Sequence, residues 1–356
     1  MVPEIESKTL IKMKFMTVLL FVLLSFFSSC SKGTDSINNN TPTNLTVHAI
    51  VSADNSGNVS FTASATNAVS YDFDYGNGIF QTVASGSVTY KYPSTGNYTV
   101  NVIAKSSSGL TASKSIQVSV TVAQSLLWSD EFDTAGSPDP SKWSFDLGTG
   151  CPSLCGWGNN ELQNYTNQSD NVIISNGTLK IIAKKENYNG SAYTSARLTT
   201  QNKFSFKYGK VEVRAKLPFG IGTWPAIWML GNNITTVGWP ASGEIDIMEH
   251  RGSHLNTISS ALHHPGFSGG NPDIGSTVMP NVTTEFHKYV LEWSASTIKF
   301  SVNDVVFFTF ANKSSIPFNH NFFLILNVAM GGNYGGPVDS NFSSAAMEID
   351  YVRVYQ

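Results

Sequence analysis

Charge is scarce in this 356-residue chain: Asp, Glu, Lys and Arg make up 13% of it, and 25 acids against 22 bases leave a formal net charge of −3. With no basic block, the composition speaks against nucleic acid and other polyanions as partners. Cysteine is nearly absent, at three residues. Tryptophan is missing from the first 127 positions, and all seven lie at or after Trp128. That asymmetry divides a chain long enough for two domains into a tryptophan-free N-terminal part and an aromatic-rich C-terminal part. No serine sits in a nucleophile-elbow pattern, so a serine-based catalytic triad has no support. Beyond Leu126 no helical period of any length appears.

One apolar run breaks the polar monotony. Lys8, Lys12 and Lys14 precede Phe15 to Phe27, followed by Ser28-Ser29-Cys30. A basic start, a short apolar stretch and small residues describe an export signal, and the run is too short to span a membrane comfortably. Cys30 stands where a bacterial lipobox has its acylated cysteine, although Phe27 replaces the commoner leucine; the alternative is an ordinary signal cut nearby. The lipobox reading makes residues 1–29 a signal peptide, Cys30 a lipid anchor to the membrane, and the protein an exported lipoprotein of the bacterial outer membrane or cell surface. In an exported chain the close pair Cys151 and Cys155 reads as a small disulfide loop, since a zinc site lacks a second Cys/His pair at suitable spacing.

Residues 30–43 are Ser, Thr, Asn and Gly with little to bury, as expected of a flexible tether. From 44 to 123, short alternating stretches such as Val59-Ser60-Phe61-Thr62-Ala63 recur between Gly, Asn and Ser clusters, the pattern of a small immunoglobulin-like β-sandwich. Tyr71-Asp72-Phe73-Asp74-Tyr75-Gly76-Asn77-Gly78 with Tyr92-Pro93-Ser94-Thr95-Gly96-Asn97-Tyr98 resembles a PKD-type module. Its acidic loop is altered and no tryptophan is present, which favours a spacer over a carbohydrate binder. Residues 126–356 read as one larger domain of short strands: all-β, an antiparallel β-sandwich jelly roll (concanavalin A-like).

The densest chemistry is Gly243-Glu244-Ile245-Asp246-Ile247-Met248-Glu249-His250. Side chains alternate along a strand, so Glu244 and Asp246 share a face and Glu249 should point away. An extra residue at Ile247-Met248 would return Glu249 to that face, as bulges beside active sites do. Two glutamates flanking an aspartate in one groove suit a retaining glycosidase, whose nucleophile and acid/base stand about 5–5.5 Å apart. The bland alternative is a solvated edge strand, which has no need of the bulge parity.

Here the chain resembles glycoside hydrolase family 16, in its bulged, laminarinase-like branch. The resemblance also runs through Leu127-Trp128-Ser129-Asp130-Glu131-Phe132-Asp133, Cys155-Gly156-Trp157-Gly158-Asn159-Asn160-Glu161-Leu162-Gln163, Thr223-Trp224-Pro225-Ala226-Ile227-Trp228-Met229-Leu230 and Asp350-Tyr351-Val352-Arg353-Val354-Tyr355, over about the last two thirds of the chain. It implies endo-hydrolysis of β-1,3-glucans with retention, with Glu244 as nucleophile, Glu249 as acid/base and Asp246 tuning Glu244. Trp224, Trp228 and Trp239 would form sugar-stacking subsites, while Trp128, Trp143 and Trp293 belong to the core. Asn159 and Arg197 match positions that bind sugar hydroxyls on the non-reducing side, a structural ion pair being the alternative for Arg197. His263 matches a histidine near the acid/base. The resemblance further implies a structural Ca2+ held by Glu131, Gly177 and Asp350, with no cofactor needed for the chemistry. A β-glucan partner and a monomeric state complete the expectation. Mixed-linkage glucan, a marine galactan such as agar or carrageenan, and lectin-like binding without catalysis are the alternatives.

Overall fold

The computed structural model describes residues 40–356. The signal segment, Cys30 and most of the expected tether lie outside the described residues. Thr43, expected in the tether, instead opens a strand, and Pro42 before it is already buried.

The N-terminal module is two small antiparallel sheets. Thr43–Val51, Asn58–Thr66 and Ser87–Lys91 form one; Phe80–Val83, Ser70–Asp74, Gly96–Lys105 and Thr111–Val120 form the other. Alternation explains the pairing: Val59, Phe61, Phe73, Val100 and Val102 point inward while the residues between them face water. Tyr75 stacks on Tyr90 at 3.9 Å between ring centroids, and the Tyr92 hydroxyl donates to the Tyr75 carbonyl at 3.0 Å. In the acidic loop, Asp74 accepts from the Gly76 N–H at 2.9 Å, so its carboxylate closes the turn that contains it.

The C-terminal part packs a ten-stranded sheet against a seven-stranded one. The seven-stranded sheet runs, in spatial order, Asp273–Val278, Thr257–His263, Glu244–His250, Thr223–Gly231, Phe322–Met330, Arg197–Thr199 and Ser144–Phe145. Apolar side chains from both sheets, among them Ile227, Met229, Ile245, Leu324, Leu326, Val211, Leu291 and Val352, form one continuous core. Each fully buried aliphatic side chain contributes about 1.5–3 kcal/mol. The Phe322–Met330 strand, nearly all apolar in sequence, is buried along its whole length. Inward Ile227 and Met229 in the Thr223–Gly231 strand leave Trp224 and Trp228 on the opposite, half-buried face. The same sheet that closes the core thereby presents indoles outward, beside the acids of the neighbouring strand.

Candidate active site

The Glu244–His250 strand has neighbours on both sides, and its register carries the decisive irregularity. Against Thr257–His263, Asp246 pairs with Ala261 and Glu249 with Ser259: three steps on one strand answer two on the other. Against Thr223–Gly231, Met248 pairs with Ile227 and Asp246 with Trp228, leaving Ile247 as the extra residue. Ile247 and Met248 both enter the core, and the strand resumes with Glu249 on the face of Glu244 and Asp246. Gly243 makes the approach possible: its φ is +72°, and a Cβ there would lie 2.8 Å from the Pro317 carbonyl and 2.9 Å from the Phe322 ring.

Each outer acid receives an indole N–H. Trp239 Nε1 donates to Glu244 Oε2 at 3.0 Å, and Trp224 Nε1 donates to Glu249 Oε1 at 2.9 Å. Trp239 comes from the loop before the strand and is 47% exposed, so it belongs to the groove rather than the core. Among the tryptophans expected inside, Trp143 and Trp293 are buried, while Trp128 is half-buried and stacks on Phe204.

His263 comes from the neighbouring strand. It lies opposite Glu244 across the antiparallel pair, with Nε2 3.2 Å from Asp246 Oδ2 and 3.7 Å from Glu244 Oε1. The histidine is thus close to Asp246 and Glu244, and its field also reaches Glu249. The Gly269 N–H donates to Nδ1 at 3.2 Å, which puts the proton of the neutral ring on Nε2, facing the two acids. Asp246 is 4% exposed, and its Oδ2 accepts no hydrogen bond, the His263 contact being one of proximity alone.

On the other flank, Arg197 lies between two indoles, 4.5 Å from Trp157 and 4.8 Å from Trp228, and its Nε is 2.9 Å from Asp146 Oδ2. The structural ion pair weighed as an alternative is therefore present. Asn159 Nδ2 reaches Glu161 Oε1 at 3.5 Å. Cys151 and Cys155 are bonded to each other, and the short helix Cys155–Gly158 that follows holds Trp157 over Arg197. Sequence reasoning missed Trp157, Asp146 and Tyr334. The Tyr334 ring lies 5.3 Å from Trp224 and 4.7 Å from the Arg251 guanidinium. The only sequence signal for any of the three was that Trp157 stands beside a substrate-facing motif.

Burial shifts the acids most. Loss of water above all, joined on both glutamates by the neighbouring Asp246 charge, raises Glu244, Asp246 and Glu249 to about 8 each. His263 and the indole donors act in the opposite direction, chiefly on Glu244 through His263 and on Glu249 through Trp224. Such a site keeps a proton on one carboxyl at neutral pH while supporting an anion on another.

The positions expected to hold calcium gather around a second bulge, far from these acids in the fold. Asp350 is the extra residue between Ile349, opposite Ala215, and Tyr351, opposite Arg214. On the other edge of that strand, pairing with Leu179 ends at Ile349 and pairing with Asp130 begins at Val352, so Gly177 and Glu131 flank Asp350. The Asp350 carboxylate itself accepts from Arg214 at 2.5 Å, in a partly exposed pair of the kind worth at most about 1 kcal/mol. Both Glu131 carboxylate oxygens are taken by Arg353, leaving its carbonyl as the available donor.

A stability consequence follows from the acids. Folded-state values near 8, above the ordinary 4.5 of a glutamic acid, mean that the folded chain holds protons which the unfolded chain releases. The stability they contribute is complete at low pH and is lost as pH rises toward about 8. Glu249→Gln, at the acid that carries the proton, should therefore raise Tm relative to wild type, with a gain that grows from about pH 5 to about pH 8. Thermal melts of the two proteins across that range check it, and a gain that shrank with pH would contradict the burial-driven shift.

Residues 159–353 match the family described as glycosyl hydrolases family 16. A second description, beta-glucan synthesis-associated protein SKN1/KRE6/Sbg1, matches residues 62–245 and stops short of Asp246 and Glu249. A beta-glucanase of Rhodothermus marinus is 43% identical over 247 residues, covering 65% of this chain and 85% of that protein. A glucan endo-1,3-beta-glucosidase of Cryptopygus antarcticus is 37% identical, over 64% of this chain and 90% of the relative. Among solved structures, the catalytic domain of an endo-1,3-beta-glucanase (laminarinase) from Thermotoga petrophila superimposes with a TM-score of 0.62 at 42% identity, covering 66% of this chain and 98% of that one. With its acids on one face of a bulged strand and this match over the C-terminal domain, the chain belongs to glycosyl hydrolase family 16.

Proposed function

We propose that this protein hydrolyses internal β-1,3 links of glucans such as laminarin by double displacement with retention. The observation that carries the reading is the bulge that brings Glu249 to the face of Glu244 and Asp246. Relatives and solved structures named as β-1,3-glucanases and laminarinases support the substrate. Glu244, flanked by the Trp239 N–H and the His263 proton, is the carboxylate best kept as an anion and attacks the anomeric carbon. Glu249, raised by burial and by Asp246, carries the proton to the leaving oxygen, then turns base and activates water. Strands continue on both sides of the catalytic one, so a polymer can be held across it, as endo action requires. Arg197 is already paired with Asp146, which leaves little unpaired positive charge there for a sulfated galactan.

Laminarin should be cut to short β-1,3 oligosaccharides faster than mixed-linkage glucan, with agar, carrageenan and cellulose scarcely touched. Proton NMR in the first minutes should show the β-anomer at the new reducing end. Glu244→Gln should lose nearly all turnover, and azide should rescue Glu244→Gly with inverted product. Glu249→Gln should slow natural glucans far more than substrates with good leaving groups, since only the former need a proton. In wild type the rate should fall as pH rises through about 8, where Glu249 loses its proton. An initial α-anomer, or preference for agar, would overturn the mechanism or the substrate respectively.

We also propose a calcium ion at the second bulge, held by the carbonyls of Glu131 and Gly177 and the carboxylate of Asp350, where its role is to tie strand ends together. The register that gathers these positions supports it. Chelation should lower Tm and leave activity at moderate temperature intact, by mass action on the folded state. Activity abolished without a shift in the melting curve would sink this assignment.

For the N-terminal part, the reading is a PKD-type spacer that holds the enzyme away from a membrane to which Cys30 is lipid-anchored. Supporting it are the apolar run ending in Ser28-Ser29-Cys30 and a small sandwich whose acidic loop is closed by its own Asp74. Expressed in a bacterial host, the full chain should incorporate radioactive palmitate and sediment with membranes, and Cys30→Ala should do neither. Unlabelled wild type would dispose of the anchor.

A further inference from the structure

Beside the groove lies a half-buried carboxylate that the chemistry above does not use. Glu161 Oε2 accepts from Gln163 Nε2 at 2.6 Å and from the Tyr165 hydroxyl at 3.2 Å. The Gln163 amide cannot turn round, because its Oε1 accepts the Met330 N–H at 2.7 Å. Tyr165, itself buried, accepts from Asn327 Nδ2 at 3.0 Å, and Asn327 Oδ1 accepts from Trp228 Nε1 at 2.7 Å. An indole N–H can only donate, so the Asn327 oxygen must face Trp228 and its NH2 must face Tyr165. The Tyr165 proton is then left to point the other way, and Glu161 is the group that receives it.

We propose that Glu161 is a positioning residue for the substrate groove: the terminal acceptor of a Glu161, Tyr165, Asn327, Trp228 relay that fixes the Trp228 indole as a sugar platform. Trp228 is the end that matters. It is paired in register with Asp246 on the catalytic strand, and its ring lies against Arg197. The relay thus links a loop at the edge of the sheet to the strand beside the acids. Removing the acceptor leaves the tyrosine hydroxyl free to donate to Asn327, whose amide can then flip and turn NH2 toward the indole N–H. The functional consequence rests on the groove holding a glucan, but the relay itself does not.

The test uses the full chain, 15N-labelled, with the Trp228 indole signal assigned by its loss in Trp228→Phe. Tyr165→Phe, which removes a single oxygen, and Glu161→Ala should each shift the Trp228 indole N–H signal and speed its hydrogen exchange. Glu161→Gln, which keeps an oxygen where Oε2 stands, should restore it. Toward laminari-oligosaccharides the two cutting variants should raise KM about fivefold, the size of effect expected from loosening one neutral hydrogen bond, with the loss falling on KM rather than kcat. The double variant should be no worse than either single, because both cut one chain. An unmoved Trp228 signal in folded Tyr165→Phe, or additive KM effects, would overturn the proposal. Should Glu161→Ala fail to fold, Tyr165→Phe decides alone. Should no β-1,3-glucan be cleaved by wild type, the substrate reading fails while the indole signals still decide the relay.

Discussion

Three carboxyl groups within six residues of one strand, all withdrawn from water, repel one another, and the surroundings are arranged to contain that repulsion. The containment begins in the backbone. The extra residue that brings Glu249 round also sends Ile247 and Met248 together into the core, so hydrophobic burial on one side of the strand anchors the acids on the other. Above the sheet, two indole N–H groups donate to the outer glutamates, and the His263 imidazole stands 3.2 Å from the buried Asp246. None of these groups carries a permanent positive charge. The acids therefore remain titratable instead of being locked into salt bridges, which is the condition under which one carboxyl can exchange a proton with a leaving group while another stays ionised.

Much of this was legible because strands have a period of two. Parity alone says that Glu249 is on the wrong face and that one inserted residue corrects it, and the register shows Ile247 inserted at that place. Trp224 and Trp228, made groove residues by the resemblance, share one face of their strand. Parity could not give the partner of His263, because an antiparallel turn sets the end of one strand opposite the beginning of the other, so Glu244 rather than Glu249 is the neighbour. Trp239 sits in a loop, where no period applies, and its hydrogen bond to Glu244 sets its position.

What stayed hidden was tertiary. Asp146 and Arg197 are far apart in sequence, and Glu161 reads as one more polar residue in a loop until Tyr165, Asn327 and Trp228 are seen in line. The grouping of Glu131, Gly177 and Asp350 depends on where two strand pairings stop and start along a third, and backbone donors leave no spacing to recognise. Resemblance to a family supplied those positions; periodicity could not.

Of the groups that touch the acids or their histidine, Trp224 and His263 stand on strands locked into the sheet, whereas Trp239 and the Gly269 amide come from loops. Chemistry and recognition are thereby carried by parts of the chain with different tolerance for change. Insertions or substitutions in the loops at the ends of the strands can reshape what the groove admits without disturbing the register that makes the acids work. A lineage built on this sheet can turn to new polysaccharides by loop variation while its reaction stays the same.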